Sequence, residues 1–480
     1  MRLSPRRMIF IFANRFMSIS NIISKLKGYD PLPASLLKEY NRHRPLGPQP
    51  VVCYAPFRSI YFGHYGKAVA CCFNRNYVLG EYPKQSIREI WFGEAAEKLR
   101  KYVKHSDLSL GCYGCKSQLT AQNFDAVKAK QYDERKSNEN RFPSVMEFEL
   151  SNVCNLECEM CNGDFSSLIR AKREKLPPIV SAYDDNFVKQ LEEFIPYLEE
   201  VKFYGGEPFL IDIYYKIWDK LVEINPKVRV SVQTNATTLN SRVKELMEHI
   251  DFHINVSFDS LIKPVYETIR KNADYDRVIE NILYFQQYCK ARNTFFGISV
   301  CAMQQNWREL PDFINFCNNL EVPVYFHTVD NPPHCAIRNL SAEEIDSIIH
   351  YLGGFDFPSE TNVQKKNRTH YFDFYNQIKA WQLRSGKIAP FLKERSMANL
   401  KEVLRVHIQS NKFLNEDEKH KSVTTVIRKV EQLEQSVSQD VTQQVLNRLD
   451  VSDEQLDDMI KYISKMPAPA LIAMAKTLLK

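Results

Sequence analysis

From Ser144 to about residue 340 the chain alternates two patterns. Short apolar runs of strand length at Val145 to Leu150, Glu200 to Tyr204, Val228 to Gln233, Phe252 to Phe258, Phe296 to Ala302 and Val322 to Thr328 are separated by longer amphipathic stretches such as "DIYYKIWDKLVEI" and "DRVIENILYFQQYCKA". A run of four to seven apolar residues suits a strand, and apolar positions repeating every three to four residues suit a helix. Six such β-α units predict a parallel sheet with helices outside it, either doubly wound or curled into a barrel. In both arrangements the loops at the C-terminal ends of the strands carry the site.

The flanking segments have different patterns. Residues 1–48 form a basic leader closed by "RPLGPQP", and residues 49–125 hold five cysteines among short aromatic-rich runs and the helical stretch "SIREIWFGEAAEKLRKYV". Residues 140–340 are the β-α region, and residues 341–480 lack cysteine and read as a helical C-terminal domain ending in "DEQLDDMIKYIS" and "APALIAMAKTLL". At 480 residues, 44% hydrophobic and 25% charged, with 15 glycines, the composition excludes collagenous and low-complexity classes. The net charge of +6 comes from scattered basic residues well matched by acids, which is no nucleic-acid signature. The apolar run Met8 to Ala13 is too short for a secretory or membrane-spanning segment. The reading is therefore a cytoplasmic protein without a transmembrane segment.

Eight of the twelve cysteines fall before residue 162, spaced for metal ligation in a reducing compartment rather than for disulfides. Cys154, Cys158 and Cys161 form a C-x3-C-x2-C loop directly after the first strand of the β-α series. Structural zinc sites close with four ligands, so three thiolates suit a centre that keeps one position open. The spacing also differs from the common ferredoxin patterns.

This loop resembles the cluster-binding motif of the radical S-adenosylmethionine (SAM) enzymes, and further matches follow in order. "FYGGEPFL" at Phe203 to Leu210 looks like the family's glycine-glycine-glutamate-proline motif; "QTNATTL" at Gln233 to Leu239, "VSFDS" at Val256 to Ser260 and "YETIRKN" at Tyr266 to Asn272 stand where peptide-modifying members carry related motifs. The resemblance implies a partial (β/α)6 TIM-like barrel core, a 4Fe-4S cluster on Cys154, Cys158 and Cys161, and SAM held by Gly205, Gly206, Glu207, Pro208, Asn235, Ser257 and Arg270. Glycines would let the backbone approach the ligand, Glu207 would face its ammonium, and Ser257 and Arg270 its carboxylate. Met160 stands where the family has an aromatic residue against adenine, and its polarizable side chain suits that place.

Upstream, Cys53, Cys71, Cys112 and Cys115 resemble the ligand set of the SPASM and twitch modules, with Cys72 as a further candidate. The resemblance implies a second, auxiliary 4Fe-4S cluster in a small α+β module that here precedes the core; a four-cysteine zinc ribbon is the alternative. Cys289, Cys301 and Cys317 read as core residues. Asp259, His327 and Asp330, at or beyond strand ends, are candidates for substrate contact or proton transfer. The function implied is reductive cleavage of SAM and hydrogen-atom abstraction from a peptide or small molecule, peptide modification being favoured, with an electron donor such as a flavodoxin or ferredoxin. A sugar or nucleotide dehydrogenase and a non-catalytic metal-binding protein are the alternatives.

Overall fold

The computed structural model describes residues 28–134, 141–393, 395–409 and 416–439 and scattered residues beyond, without the side chains of 383–393. The first 27 residues of the basic leader and most of the final helical pair lie outside the described residues. The chain divides into two compact units, residues 1–337 with 354–374, and residues 338–353 with 375–480. Among the described residues no helix is long and apolar enough to cross a membrane.

The first unit is built on one nine-stranded sheet. Its strands are β1 (Ser59–Gly63), β2 (Lys67–Val69), β3 (Gly80–Glu81), β4 (Val145–Glu149), β5 (Glu200–Phe203), β6 (Arg229–Thr234), β7 (Phe252–Ser257), β8 (Phe296–Ala302) and β9 (Val324–Thr328), in the spatial order β3-β2-β1-β4-β5-β6-β7-β8-β9. From β4 to β9 every neighbouring pair is parallel and sequential, with helices between the strands, which is the partial barrel expected. The N-terminal module joins this sheet: β1 pairs parallel with β4 from Ser59 opposite Val145 to Gly63 opposite Glu149, and β2 and β3 extend the edge antiparallel.

Strand residues alternate between two faces, and here the faces differ sharply. Met146, Phe148, Val201, Phe203, Val230, Val232, Ile254, Val256, Ile298 and Val300 are buried. They belong to the apolar layer with Phe187, Tyr214 and Trp218 from the surrounding helices, where Phe203 meets Trp218 edge-on at 5.2 Å. The opposite face carries Glu147, Lys202, Ser231, Gln233, Asn255, Ser257, Ser299 and His327. A parallel sheet covered on both faces would be apolar on both, so this polar face is reserved for something other than core.

The outer edge at β9 is closed by residues 354–374, which return to the first unit. Asn367 accepts the Val324 N–H at 2.9 Å and donates to the Val322 carbonyl at 3.0 Å, satisfying backbone groups that an edge strand leaves unpaired. The second unit has its own apolar core, in which Leu400, Leu404 and Ile408 meet Val426 and Val430 from the next helix.

Candidate functional site

The three-cysteine loop runs from the end of β4 to the helix Ser167–Lys172 and is fastened at several points. Ser167 N–H donates to the Asn152 carbonyl at 2.7 Å, the Ser166 hydroxyl to the Leu156 carbonyl at 2.7 Å, and Glu157 and Glu159 N–H groups to the Lys271 and Ile269 carbonyls at 3.0 and 2.9 Å. The last two bonds bring Arg270 under Cys158. Cys158 lies close enough to Cys154 and Cys161, and Cys154 to Cys161, for the neighbouring thiol to disfavour its ionisation. Burial raises all three, pushing Cys154 up to about 11 and Cys158 up to about 12, with Cys161 adding to the effect on both and Cys154 to that on Cys158. Iron requires thiolates, and the positive charge of iron is what would offset that burial.

Gly205 and Gly206 allow a close approach, and its partner is the cysteine loop's own backbone. A Cβ on Gly205, whose φ is +93°, would meet the Ser151 carbonyl oxygen at 2.5 Å, and one on Gly206 the Val153 carbonyl oxygen at 2.0 Å. Gly206 and Glu207 N–H groups donate to Ser151 and Val153 carbonyls at 3.2 and 2.7 Å. The glycines therefore seat the loop that precedes Cys154, and Pro208 is buried behind them.

Glu207 is fully buried and its carboxylate is shared among three donors: Phe209 N–H at 3.2 Å, the Thr234 hydroxyl at 2.7 Å and Asn235 N–H at 2.7 Å. Burial outweighs these bonds and raises its pKa to about 7. In this arrangement Glu207 is a strut between the ends of β5 and β6, with both oxygens already engaged. Asn235 in turn reaches Asn155 of the cysteine loop at 3.2 Å and lies 3.9 Å from Cys154 Sγ. Met160 packs with Ile269, Met303, Val329 and Cys335, and Cys301 joins the same apolar cluster.

Ser257 accepts a hydrogen bond from Gln233 at 2.7 Å. From there a chain crosses the polar face: Asn255 donates to Gln233 and to Ser299 at 2.7 Å each, and Ser299 lies 3.1 Å from His327 Nε2. Asn255 and Ser299 went unremarked in the sequence, and Gln233 entered only as the first residue of "QTNATTL", although the polar residue at every second strand position was the available signal. His327 is exposed on this face, and the protein nearby, with the charges of Lys128 and His370, sets its pKa below the ordinary value. Asp330 is exposed two residues beyond β9. Asp259 is fully buried, with Oδ2 2.7 Å from Arg270 Nη2 and Oδ1 accepting the Cys301 N–H at 2.7 Å.

The upstream cysteines separate into two groups. Cys53, Cys71, Cys112 and Cys115 line one cavity walled by Val52, Ala55, Pro56, Val103, Leu108 and Leu119. Among the described residues no three His, Cys, Asp or Glu side chains gather on a single-ion site, the three-cysteine loop included. Donors already point at these sulfurs: Ala55 N–H at Cys53 (3.3 Å), the Asn74 amide at Cys112 (3.2 Å), and the backbone of Lys128 and Ala129 at Cys115. Cys72 does not line the cavity. It faces Glu147 and Lys202 on the polar face, where burial and the Glu147 charge push it up to about 12.

Comparison with known proteins matches two stretches of the chain. The sequence profile of the radical SAM superfamily matches residues 148–317, and that of an iron-sulfur cluster-binding domain, SPASM, matches residues 53–116. Among curated relatives, a probable GTP 3',8-cyclase of Methanocaldococcus jannaschii is 26% identical over 177 residues, 36% of this chain and 55% of the relative. The GTP 3',8-cyclase of Streptomyces coelicolor is 27% identical over 144 residues, 30% of this chain and 40% of the relative. The chain thus spans about half the length of the curated relatives it matches. Among solved structures, anSMEcpe with bound AdoMet aligns with TM-score 0.35 and 16% identity over 49% of this chain and 62% of that one. Streptococcus suis SuiB bound to S-adenosylmethionine aligns with TM-score 0.33 and 16% identity over 53% and 56%. The three-thiol loop at the head of the partial barrel thus lies in a stretch that matches the radical SAM superfamily, and the four-thiol cavity before it in a stretch that matches an iron-sulfur cluster-binding domain of the SPASM type.

Proposed function

We propose that the protein is a radical SAM oxidoreductase or maturase whose substrate lies against the polar concave face of β4 to β9. Cys154, Cys158 and Cys161 would hold a 4Fe-4S cluster and leave one iron for SAM. Cys53, Cys71, Cys112 and Cys115 would hold the auxiliary cluster. When bound, the cluster and SAM together supply a 5'-deoxyadenosyl radical that takes a hydrogen atom from the substrate.

The chain's own residues orient and shield. Backbone groups of Gly205 to Pro208, with Asn235 and Ser257, border the space above the cysteine loop on the β5, β6 and β7 side; Met160 offers an apolar surface on the β8 and β9 side, and Arg270 lies beneath Cys158. His327, exposed on this face with Nε2 3.1 Å from the Ser299 hydroxyl, stands where it could exchange a proton with a bound substrate. The observation that carries the reading is the union of a three-thiol loop with a polar sheet face that no core requires.

The matched part of the GTP 3',8-cyclases is less than their whole length, so their substrate does not transfer with the resemblance. The polar face can take a peptide or a small polar molecule, and an acidic one-electron carrier such as a flavodoxin or ferredoxin would supply the electron. The test is anaerobic reconstitution with iron and sulfide, reduction with dithionite and quantification of 5'-deoxyadenosine from SAM. The intact protein is expected to form it and Cys158→Ala to form none. A fully iron-loaded protein that forms none refutes the proposal.

A further inference from the structure

Residues 28–44 precede the stretch at 53–116 that matches the iron-sulfur domain, yet they are fastened to it. Asp30 N–H donates to Asp107 Oδ2 at 2.7 Å, Leu32 N–H to the Ser106 carbonyl at 2.9 Å, and Lys116 Nζ lies 3.1 Å from Asp30 Oδ2. The helix Ala34–Arg42 packs against the helix Tyr113–Thr120, which carries Cys115. Just beyond it, Arg44 donates to the Val51 carbonyl at 2.7 Å, two residues before Cys53. A segment that reads in the sequence as a leader is therefore built against the segments that carry two of the four upstream cysteines.

Tyr40 is the most deeply buried residue of this helix, at 0% exposure, and its hydroxyl has no hydrogen-bond partner among the described residues. The ring is held between neighbours, with the Phe124 ring at 6.2 Å and the Arg44 guanidinium 5.1 Å from its centre. Buried hydroxyls are as a rule hydrogen-bonded, so an orphaned one calls for an explanation. Burial raises the pKa of this phenol, against the pull of Arg44, and negative charge on Cys53, Asp133 or Cys115 raises it further, so the group stays a donor. Asp133 is already taken by Arg44 through two bonds at 2.8 and 2.5 Å. Of the three negative groups whose charge reaches the hydroxyl, that leaves the sulfurs of Cys53 and Cys115. As neutral thiols they accept weakly; as thiolates on iron they accept well.

We propose that Tyr40 belongs to the auxiliary site: with a cluster on Cys53, Cys71, Cys112 and Cys115, its hydroxyl donates to a cluster sulfur on the Cys53 and Cys115 side and raises the reduction potential. The proposal rests on the iron-sulfur reading of these four cysteines above. A donor at a cluster sulfur offsets the added negative charge of the reduced state and so favours reduction. Ala55 N–H and the Asn74 amide already face Cys53 and Cys112 at 3.3 and 3.2 Å. Tyr40 adds a donor from outside the matched domain, which makes the helix before that domain a working part of it.

Tyr40→Phe removes the hydroxyl and keeps the ring. The full-length reconstituted protein is titrated potentiometrically, following by electron paramagnetic resonance the cluster signal that SAM does not alter. Tyr40→Phe is expected to lower this potential by about tenfold in the reduction equilibrium, or about 59 mV for one electron. 3-Fluorotyrosine in place of Tyr40, a stronger donor of nearly the same size, is expected to raise it. Electron-nuclear double resonance in D2O should show an exchangeable deuteron coupled to this cluster that Tyr40→Phe lacks. An unchanged potential in Tyr40→Phe overturns the proposal, as does the full set of deuteron couplings persisting in it, or a fall with 3-fluorotyrosine. Should Tyr40→Phe fail to hold the cluster, the 3-fluorotyrosine protein decides alone, and the absence of a rise overturns the proposal. An intact protein that holds zinc on the four cysteines, or shows no SAM-insensitive cluster, defeats the iron-sulfur reading itself and is thereby told apart from a failure of the Tyr40 assignment.

Discussion

Gly206→Ala tests the seating of the cysteine loop most directly. The new Cβ would lie 2.0 Å from the Val153 carbonyl oxygen, whereas ordinary contact begins at 3.4 Å, so the two must part by 3.4 − 2.0 = 1.4 Å. Neither atom is the end of a flexible side chain. Separation breaks the bonds from Gly206 and Glu207 N–H to Ser151 and Val153 carbonyls. At about 1 kcal/mol each the loss is about 2 kcal/mol, because Val153 is 41% exposed and water can reach its carbonyl. Domains typically hold about 5–15 kcal/mol, so the chain should still fold. Metal ligation tolerates only about 0.2 Å of error, and Cys154 follows Val153 directly. Iron and labile sulfide after anaerobic reconstitution should fall from about eight per chain to about four, one four-iron cluster being lost. Gly114→Ala, where nothing lies within 4 Å of the new methyl, should keep both clusters. A Gly206→Ala protein with full iron and an unchanged SAM-responsive signal would refute the argument that these glycines serve the loop.

Three further outcomes follow from the same geometry. Because burial raises Glu207 from 4.5 to about 7, the folded protein holds the proton that the unfolded chain has released, and stability from this group is lost as pH rises through that window. The gap of 2.5 units corresponds to about 3 kcal/mol, so the stability difference between the intact protein and Glu207→Gln should fall by about that much from pH 5 to pH 8; a difference independent of pH, measured by thermal unfolding, would contradict it. Cys72→Ser should retain auxiliary-cluster iron and Cys112→Ser should lose about four irons, and the reverse result in metal analysis would reassign the ligand set. Arg44 and Asp133 form a two-bond ion pair at 2.8 and 2.5 Å with side chains only 1% exposed, so Asp133→Ala should cost about 3–5 kcal/mol and lower the thermal midpoint, which an unchanged midpoint would disprove.

How far the sequence carried this picture depended on whether the signal was local. The six strands of β4 to β9 were legible because apolar runs and intervening helical periodicity are local properties, and each lies within about two residues of its expected place. The cysteine loop and "GGEP" were legible as chemistry for the same reason. Their contacts were not. The partners of Gly206 lie fifty residues away in the Ser151 to Val153 backbone, and no property of "GG" distinguishes approach to a ligand from approach to a neighbouring loop. Cys71 and Cys72 show the limit most plainly: adjacent in sequence, they point to opposite sides, one into the four-thiol cavity and one toward Glu147 and Lys202. Arg270 pairs with Asp259, eleven residues upstream, a partner that nothing in "YETIRKN" announces.

The parallel pairing of β1 with β4 was also hidden, since a five-residue strand followed by a hairpin looks like a self-contained module. That pairing gives β4 a role beyond its length. On its polar side, Glu147 accepts the Tyr132 hydroxyl at 2.8 Å, and Tyr132 lines the four-thiol cavity. Two residues on, Glu149 is gripped by Arg75 at 3.1 and 3.0 Å, with His64 3.5 Å away. Arg75 also donates at 3.1 Å to the carbonyl of Cys72, adjacent to a cavity cysteine. Five residues after Glu149 comes Cys154. One strand thus touches the surroundings of the four-thiol cavity at its middle and leads into the three-thiol loop at its end. The order of the modules along the chain, N-terminal module first, is compatible with a shared site because a strand pairing, and not a linker, joins them.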